Sequence, residues 1–249
     1  AVHGKGFMLG FGQEKGRIRM AKRASLAVLA ALAAFGACPA KAEMVGKYTL
    51  VSALPRPGAT KIFDNNRGTV WDVIYPPGMA TGMHRHPVDF VGVELIETLL
   101  KVTTPDGKER INPIHRGQIY MLPKGLTHIE ENVIGKPQRN SILIELKDAG
   151  PHDYANTGKD ASGFTADGAK KITDNNRVTL WDWTTGPTKT FYQTHDMYLV
   201  PMDAGTLTVA GDEPSKALPV ANGQVIFLPG GHARSLQAPG VRIAVVELK

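Results

Sequence analysis

Lys61-Ile62-Phe63-Asp64-Asn65-Asn66-Arg67-Gly68-Thr69-Val70-Trp71-Asp72 returns later in the chain as Lys171-Ile172-Thr173-Asp174-Asn175-Asn176-Arg177-Val178-Thr179-Leu180-Trp181-Asp182. The separation of about 110 residues is too long for a solenoid unit and right for a small domain, so the chain reads as two tandem copies of one unit. Each copy carries a later Gly-x5-Pro-x-Gly element, at 117–125 and 223–231, and each closes on an apolar run, at 141–146 and 241–248. Asp64-Asn65-Asn66 and Asp174-Asn175-Asn176 read as turns, since Asp and Asn side chains hydrogen-bond nearby backbone and tolerate left-handed conformations. The expected division is an N-terminal domain over 43–150 and a C-terminal domain over 151–249. Residues 148–168, with the Gly, Pro, Asn, Asp and Ser of a linker, join them.

Within each copy the apolar runs are short, rich in Val, Ile, Leu, Tyr and Trp, and cut by Pro and Gly. Examples are residues 69–75 before Pro76-Pro77-Gly78, 118–122 before Pro123, 207–210, 224–228 and 243–248. Asp106-Gly107 between two such runs is a hairpin signal. No helical periodicity is found past residue 48. The pattern predicts an all-β protein of two double-sheet jelly-roll barrels, with Trp71, Trp181 and Trp183 in sheet or core packing.

The 249 residues carry a formal charge of +6, but the excess is local. Residues 1–42 hold seven of the 29 Lys and Arg and only one of the 23 acids, which leaves 22 of each in the remainder. A neutral remainder lacks the long-range attraction to polyanions, so nucleic acid is excluded as a partner. From Met20 the chain runs through Lys22-Arg23, an apolar stretch over 26–37 and Ala40-Lys41-Ala42, the three parts of a secretory signal peptide. Residues 1–19 read as upstream sequence outside the fold. Twelve apolar residues are too few to span a bilayer, so no integral membrane segment is expected after processing. The single cysteine, Cys38, precedes the expected cut after Ala42, so the mature chain has no disulfide. Phe35-Gly36-Ala37-Cys38 keeps a lipid anchor through Cys38 as the alternative to a free periplasmic or secreted protein.

Gly78-Met79-Ala80-Thr81-Gly82-Met83-His84-Arg85-His86 has the form Gly-x5-His-x-His, and residues 117–132 have the form Gly-x5-Pro-x-Gly-x2-His-x3-Asn. On a strand, side chains two apart share a face, so His84 and His86 point to one side while Arg85 points away. His128, after a Pro-x-Gly turn, supplies a third nitrogen, and three neutral imidazoles suit Fe, Mn, Ni, Zn or Cu. These two motifs resemble the signature motifs of the cupin superfamily, and with the duplication the chain from about residue 48 onward resembles a bicupin. The resemblance implies a divalent transition metal, a small-molecule ligand or substrate, and oxygenase, isomerase, decarboxylase or lyase chemistry. It also leaves room for a homodimer built through edge strands.

Members of that family usually carry a glutamate separated from the second His by three or four residues, where this chain has Phe90 and Val91. Asp89, Glu94 or waters alone remain as ways to complete the site, and either carboxylate is a candidate base. Tyr120 is a candidate proton donor if its strand register turns it inward. In the second copy, Gln193-Thr194-His195 is set opposite His84-Arg85-His86, and His232 near His128. Gln193, His195 and His232 are therefore secondary candidates in a site expected to be structural. A non-enzymatic binding protein is the alternative to a metal-dependent enzyme.

Overall fold

The computed structural model describes residues 43–148, 163–184 and 186–249. The leader, Cys38, His152 and most of the expected linker lie outside the described residues. The described residues form twenty strands and no helix. Among the described residues, no helix is long and apolar enough to cross a membrane.

After a two-stranded hairpin, Met44–Val45 with Tyr48–Thr49, the N-terminal half is a five-stranded sheet facing a four-stranded one. The larger runs Ala59–Asp64, Gly68–Tyr75, Arg139–Leu146, Phe90–Glu94, Ile119–Leu122, and the smaller His84–Arg85, Thr127–Asn132, Thr98–Thr103, Glu109–Ile114. The C-terminal half repeats this order strand for strand. Its larger sheet is Ala169–Asp174, Val178–Trp183, Ile243–Leu248, Asp196–Pro201, Ile226–Leu228, and its smaller one is Phe191–Gln193, His232–Gln237, Gly205–Gly211, Lys216–Val220. These are the two tandem jelly-roll barrels expected from the sequence. The repetition reaches irregularities: the pairing register shifts between Lys61 and Phe63, and again between Lys171 and Thr173. The expected hairpin closes between Thr98–Thr103 and Glu109–Ile114, with Gly107 at φ +83°.

The repeated Asp-Asn-Asn-Arg stretch is the turn it was read as. Asn65 Oδ1 accepts the backbone N–H groups of Arg67 and Gly68, and Asn175 Oδ1 those of Arg177 and Val178. Trp71 and Trp181 each donate from Nε1 to the equivalent glutamate, Glu145 or Glu247, at 2.7 Å.

The two larger sheets pack against each other, and this explains why their strands read as continuous apolar runs. Val70, Val93, Ile142 and Ile144 of one half share a buried cluster with Leu180, Val200, Val246 and Leu248 of the other. The alternate residues Trp71, Val73, Phe90 and Leu143 turn into the first barrel instead. Strands covered on both faces need no polar alternation. The second barrel is filled by Phe164, Trp183, Phe191, Leu199 and Leu236. Phe164 thus belongs to the core although the sequence pattern assigned it to the linker; Glu247 Oε1 accepts its backbone N–H at 2.7 Å.

Candidate metal centre

His84 lies on the short strand His84–Arg85, which pairs with Thr127–Asn132 so that His84 and His128 are directly opposite. His86 continues the same face beyond the strand end, held by hydrogen bonds from its N–H to Leu126 O and from Gly125 N–H to its own carbonyl. The ring centres stand 4.8 Å (His84 to His128), 5.0 Å (His86 to His128) and 5.4 Å (His84 to His86) apart. One nitrogen of each falls within 4.8 Å of the others. All three rings are buried. Arg85 points outward and pairs with Glu43 at 2.7 Å.

Burial depresses the pKa of each of these histidines to about 4; the charge of Arg56 adds to the effect at His84, and the neighbouring His84 adds to it at His86. The imidazoles are therefore neutral at pH 7, the form that ligates metals. His84 Nδ1 is 3.0 Å from Gly82 O, which fixes its proton there and turns the Nε2 lone pair inward. His86 Nδ1 and His128 Nε2 are buried with no hydrogen-bond partner. Buried polar atoms left unpaired are costly, and a cation among these nitrogens would satisfy them, so the residues fit a transition metal.

Beneath the triad lies a polar layer that sequence reading assembled only in part. Arg139, 1% exposed, donates to Glu94 through Nε at 3.2 Å and Nη2 at 2.6 Å, and to Glu130 through Nη1 at 3.1 Å. Tyr120 donates its hydroxyl proton to Glu94 Oε1 at 2.6 Å and accepts from Arg139 Nη2 at 2.9 Å. Tyr120 does face inward, because Ile119 and Met121 on either side of it turn to the seam. Gly92, its cross-strand partner, leaves it room: a Cβ there would sit 2.3 Å from Tyr120 Cζ. Burial raises the Tyr120 pKa well above the usual phenol range, so the hydroxyl stays protonated.

Glu130 reaches towards the triad, its Oε1 4.0 Å from His128 Nε2. Burial works against its ionisation, but the positive surroundings led by Arg139 outweigh that and hold its pKa far below the usual carboxylate range. Arg56, from the segment that runs into the first large sheet, places Nη1 3.0 Å from His84 Nε2 and Nη2 3.4 Å from Glu130 Oε2. The Tyr75 ring lies under both guanidiniums, 5.3 Å from Arg56 and 5.8 Å from Arg139, and its buried hydroxyl has no partner. Burial pushes the Tyr75 pKa up to about 12.

The carboxylate expectations need correction. Asp89 is not part of the cluster: its Oδ1 accepts the N–H of Lys124 at 2.8 Å and its Oδ2 lies 3.6 Å from Arg177 in the other half. Strand parity is the reason, since Phe90 takes the inward position and stacks on His86 at 4.6 Å. Glu94 is inward and fully buried, not on a solvated face, but Arg139 and Tyr120 engage it. Glu130, Arg139, Arg56 and Tyr75 were missed. Only Glu130 had a readable signal, standing two residues after His128 on one strand.

The second copy needs a different alignment. Phe191 pairs with Arg234 where His84 pairs with His128, and Gly231 N–H bonds Gln193 O where Gly125 N–H bonds His86 O. Phe191, Gln193 and Arg234 thus take the places of the three histidines. The spacing from Gly231 to Arg234 equals that from Gly125 to His128. The same pairings set Pro201 for Glu94 and Ile226 for Tyr120. Leu236 stands for Glu130, each taking its N–H bond to an equivalent threonine, Thr188 or Thr81. His232 faces Asp212 at 3.4 Å and His195 contacts Thr194 at 3.1 Å, so neither joins Gln193 in a cluster.

No protein-family model matches the chain. A 97-residue stretch is 34% identical to the β-alanine degradation protein BauB of Pseudomonas aeruginosa and covers 39% of this chain and 98% of that protein. Oxalate decarboxylase of Lactobacillus farciminis, solved as a formate complex, superposes with a TM-score of 0.51 at 10% identity, over 74% of this chain and 77% of that one. A salicylate 1,2-dioxygenase mutant from Pseudoaminobacter salicylatoxidans gives 0.51 at 13% identity, over 73% and 70%. The two solved structures share the fold.

Proposed function

The chain belongs to the cupin superfamily, and from that premise we propose that its N-terminal barrel is the metal site of an enzyme acting on a small carboxylate-bearing metabolite. One observation carries the proposal: three neutral, buried imidazoles, two with unpartnered nitrogens, converge opposite a guanidinium. His84, His86 and His128 would hold the ion. A bound Fe, Mn, Ni, Zn or Cu supplies Lewis-acid polarisation or one-electron chemistry, according to its identity.

The chain's own residues suggest how a substrate is held. Arg56 carries its charge to the rim of the triad, and an ion bound at His84 Nε2 would displace its Nη1 from that nitrogen, which leaves the guanidinium to pair with a carboxylate group. Tyr75, protonated at neutral pH, donates from the same side. Glu130, held ionised by Arg139 and Arg56 and 4.0 Å from His128, sets a negative charge beside the triad; Arg139 and Tyr120 act as positioning residues that fix Glu94 and Glu130. The similarity to BauB supports a small amino or carboxylic acid as substrate. The leader-like sequence over 20–42 supports export to the periplasm or cell exterior, with fractionation of the full-length protein as its test.

The test starts with protein purified without a metal-affinity tag. Near-stoichiometric metal that is lost in a His84→Ala/His86→Ala variant is expected, followed by metal-dependent oxygen uptake or product formation on a panel of small carboxylic acids. Absence of metal binding in wild type defeats the proposal. A second reading, binding without turnover, draws on the ion pairing of both buried carboxylates to Arg139. A metal-loaded protein that binds an acid from the panel and leaves it unchanged would establish that reading instead.

A further inference from the structure

The C-terminal barrel has lost its imidazoles but keeps a cationic group at the equivalent point, and this group borders an open cleft. Arg234, 3% exposed, donates from Nη1 to Gln193 Oε1 and to Pro229 O at 2.6 Å. No carboxylate of the described residues lies within ion-pair distance of it, and its Nε and Nη2 make no hydrogen bond. Asp196, Asp212 and Glu213 act on it only at longer range, and a buried guanidinium with no close ion pair is expensive to keep. The cleft it lines is shallow and open to solvent, and its apolar lining includes Leu218, Phe227 and Pro229. Asp212 and Glu213 also line it, following Gly211, the strand partner of Arg234, and so does Lys216, which has a partner of its own.

We propose that this cleft binds a small zwitterionic amino carboxylate, with its carboxylate on the free edge of Arg234 and its ammonium group towards Asp212 and Glu213. The charge arrangement selects this class. The two acids would repel a simple anion, the buried guanidinium would repel a simple amine, and a ligand bearing both charges satisfies each end. His232 lies 3.4 Å from Asp212 and 4.0 Å from Glu213 and holds the two acids in place. The site is independent of the histidine triad.

The experiment is calorimetric titration of the whole protein with three probes of equal length: 4-aminobutanoate, butanoate and butylamine. Saturable binding of 4-aminobutanoate, about tenfold or more tighter than either single-charge probe, is expected. Arg234→Gln should abolish it. Should that variant fail to fold, Asp212→Asn/Glu213→Gln, which alters one exposed and one half-buried side chain, carries the test: it should erase the preference for 4-aminobutanoate over butanoate. Binding should persist in His84→Ala/His86→Ala. Absence of binding by all three probes, equal affinity for butanoate and 4-aminobutanoate in wild type, or loss of binding in the His84/His86 variant would each overturn the proposal.

Discussion

Arg67 Nε lies 3.2 Å from Asp196 Oδ2 across the seam between the two barrels, with both side chains at most 5% exposed. The duplication repeats the device in mirror order, Arg177 of the second copy facing Asp89 of the first at 3.6 Å. Each repeated Asn turn therefore hands an arginine to the other barrel. The two pairs differ in exposure: the Arg177 side chain is 28% exposed and that of Asp89 21%. Removing one partner of a buried pair strands the other charge, so Arg67→Ala is expected to cost about 3–5 kcal/mol. Arg177→Ala, in a solvated pair, should cost about 1 kcal/mol or less. Urea titrations of the two variants compare them directly, and equal losses would contradict the burial argument.

Arg139 is the counter-ion of two buried glutamates, 2.6 Å from Glu94 and 3.1 Å from Glu130. Arg139→Met leaves both carboxylates without their main partner and should destabilise the protein by about 3–5 kcal/mol. Tyr120→Phe deletes only the hydroxyl between Glu94 and Arg139 and should cost about 1–3 kcal/mol. Denaturant midpoints at neutral pH check the order; a larger loss for Tyr120→Phe than for Arg139→Met would show that the arginine is not the centre of the layer.

The triad was readable in advance because its three members sit at fixed spacings in two linked motifs, and strand parity alone puts His84 and His86 on one face. The same parity places Glu130 beside His128. Arg139 gave no such sign: it is brought to Glu94 by the pairing of strands far apart in sequence, with Ser141 opposite Glu94. Arg56 stands between Pro55 and Pro57, in a segment with no periodicity to read. In the second copy the surviving histidines drew the alignment to themselves, while the Gly231 spacing pointed to Arg234. Asp89 misled because distance along the chain suggested reach, and the alternation of the strand turned it away.

Gly92 opposes Tyr120, and any Cβ there meets the ring at 2.3–2.6 Å. Gly92→Ala should therefore destabilise by about 1–3 kcal/mol through overpacking in a filled barrel. The clash is with the ring edge, at 2.3 Å from Cζ and 2.6 Å from Cε2, and equally with the hydroxyl oxygen at 2.6 Å, so Tyr120→Phe should relieve it only in part, whereas Tyr120→Ala should relieve it fully. A double-mutant cycle measures this: strong non-additivity for Gly92→Ala with Tyr120→Ala, and a smaller coupling with Tyr120→Phe, is expected.

The three buried histidines also set how the metal-stripped protein responds to acid. Each has a folded-state pKa of about 4 against an ordinary value of 6.5, so between these limits the unfolded chain binds protons that the folded chain refuses. Stability rises with pH wherever the unfolded state holds more protons. There is thus no penalty above about pH 6.5, and a growing one as pH falls from there towards 4. Thermal unfolding of the stripped protein should show its melting temperature dropping through that window. A His84→Gln/His86→Gln/His128→Gln variant, with nothing left to titrate in the triad, should have a flatter profile. A variant profile as steep as the wild type would place the acid sensitivity elsewhere in the fold.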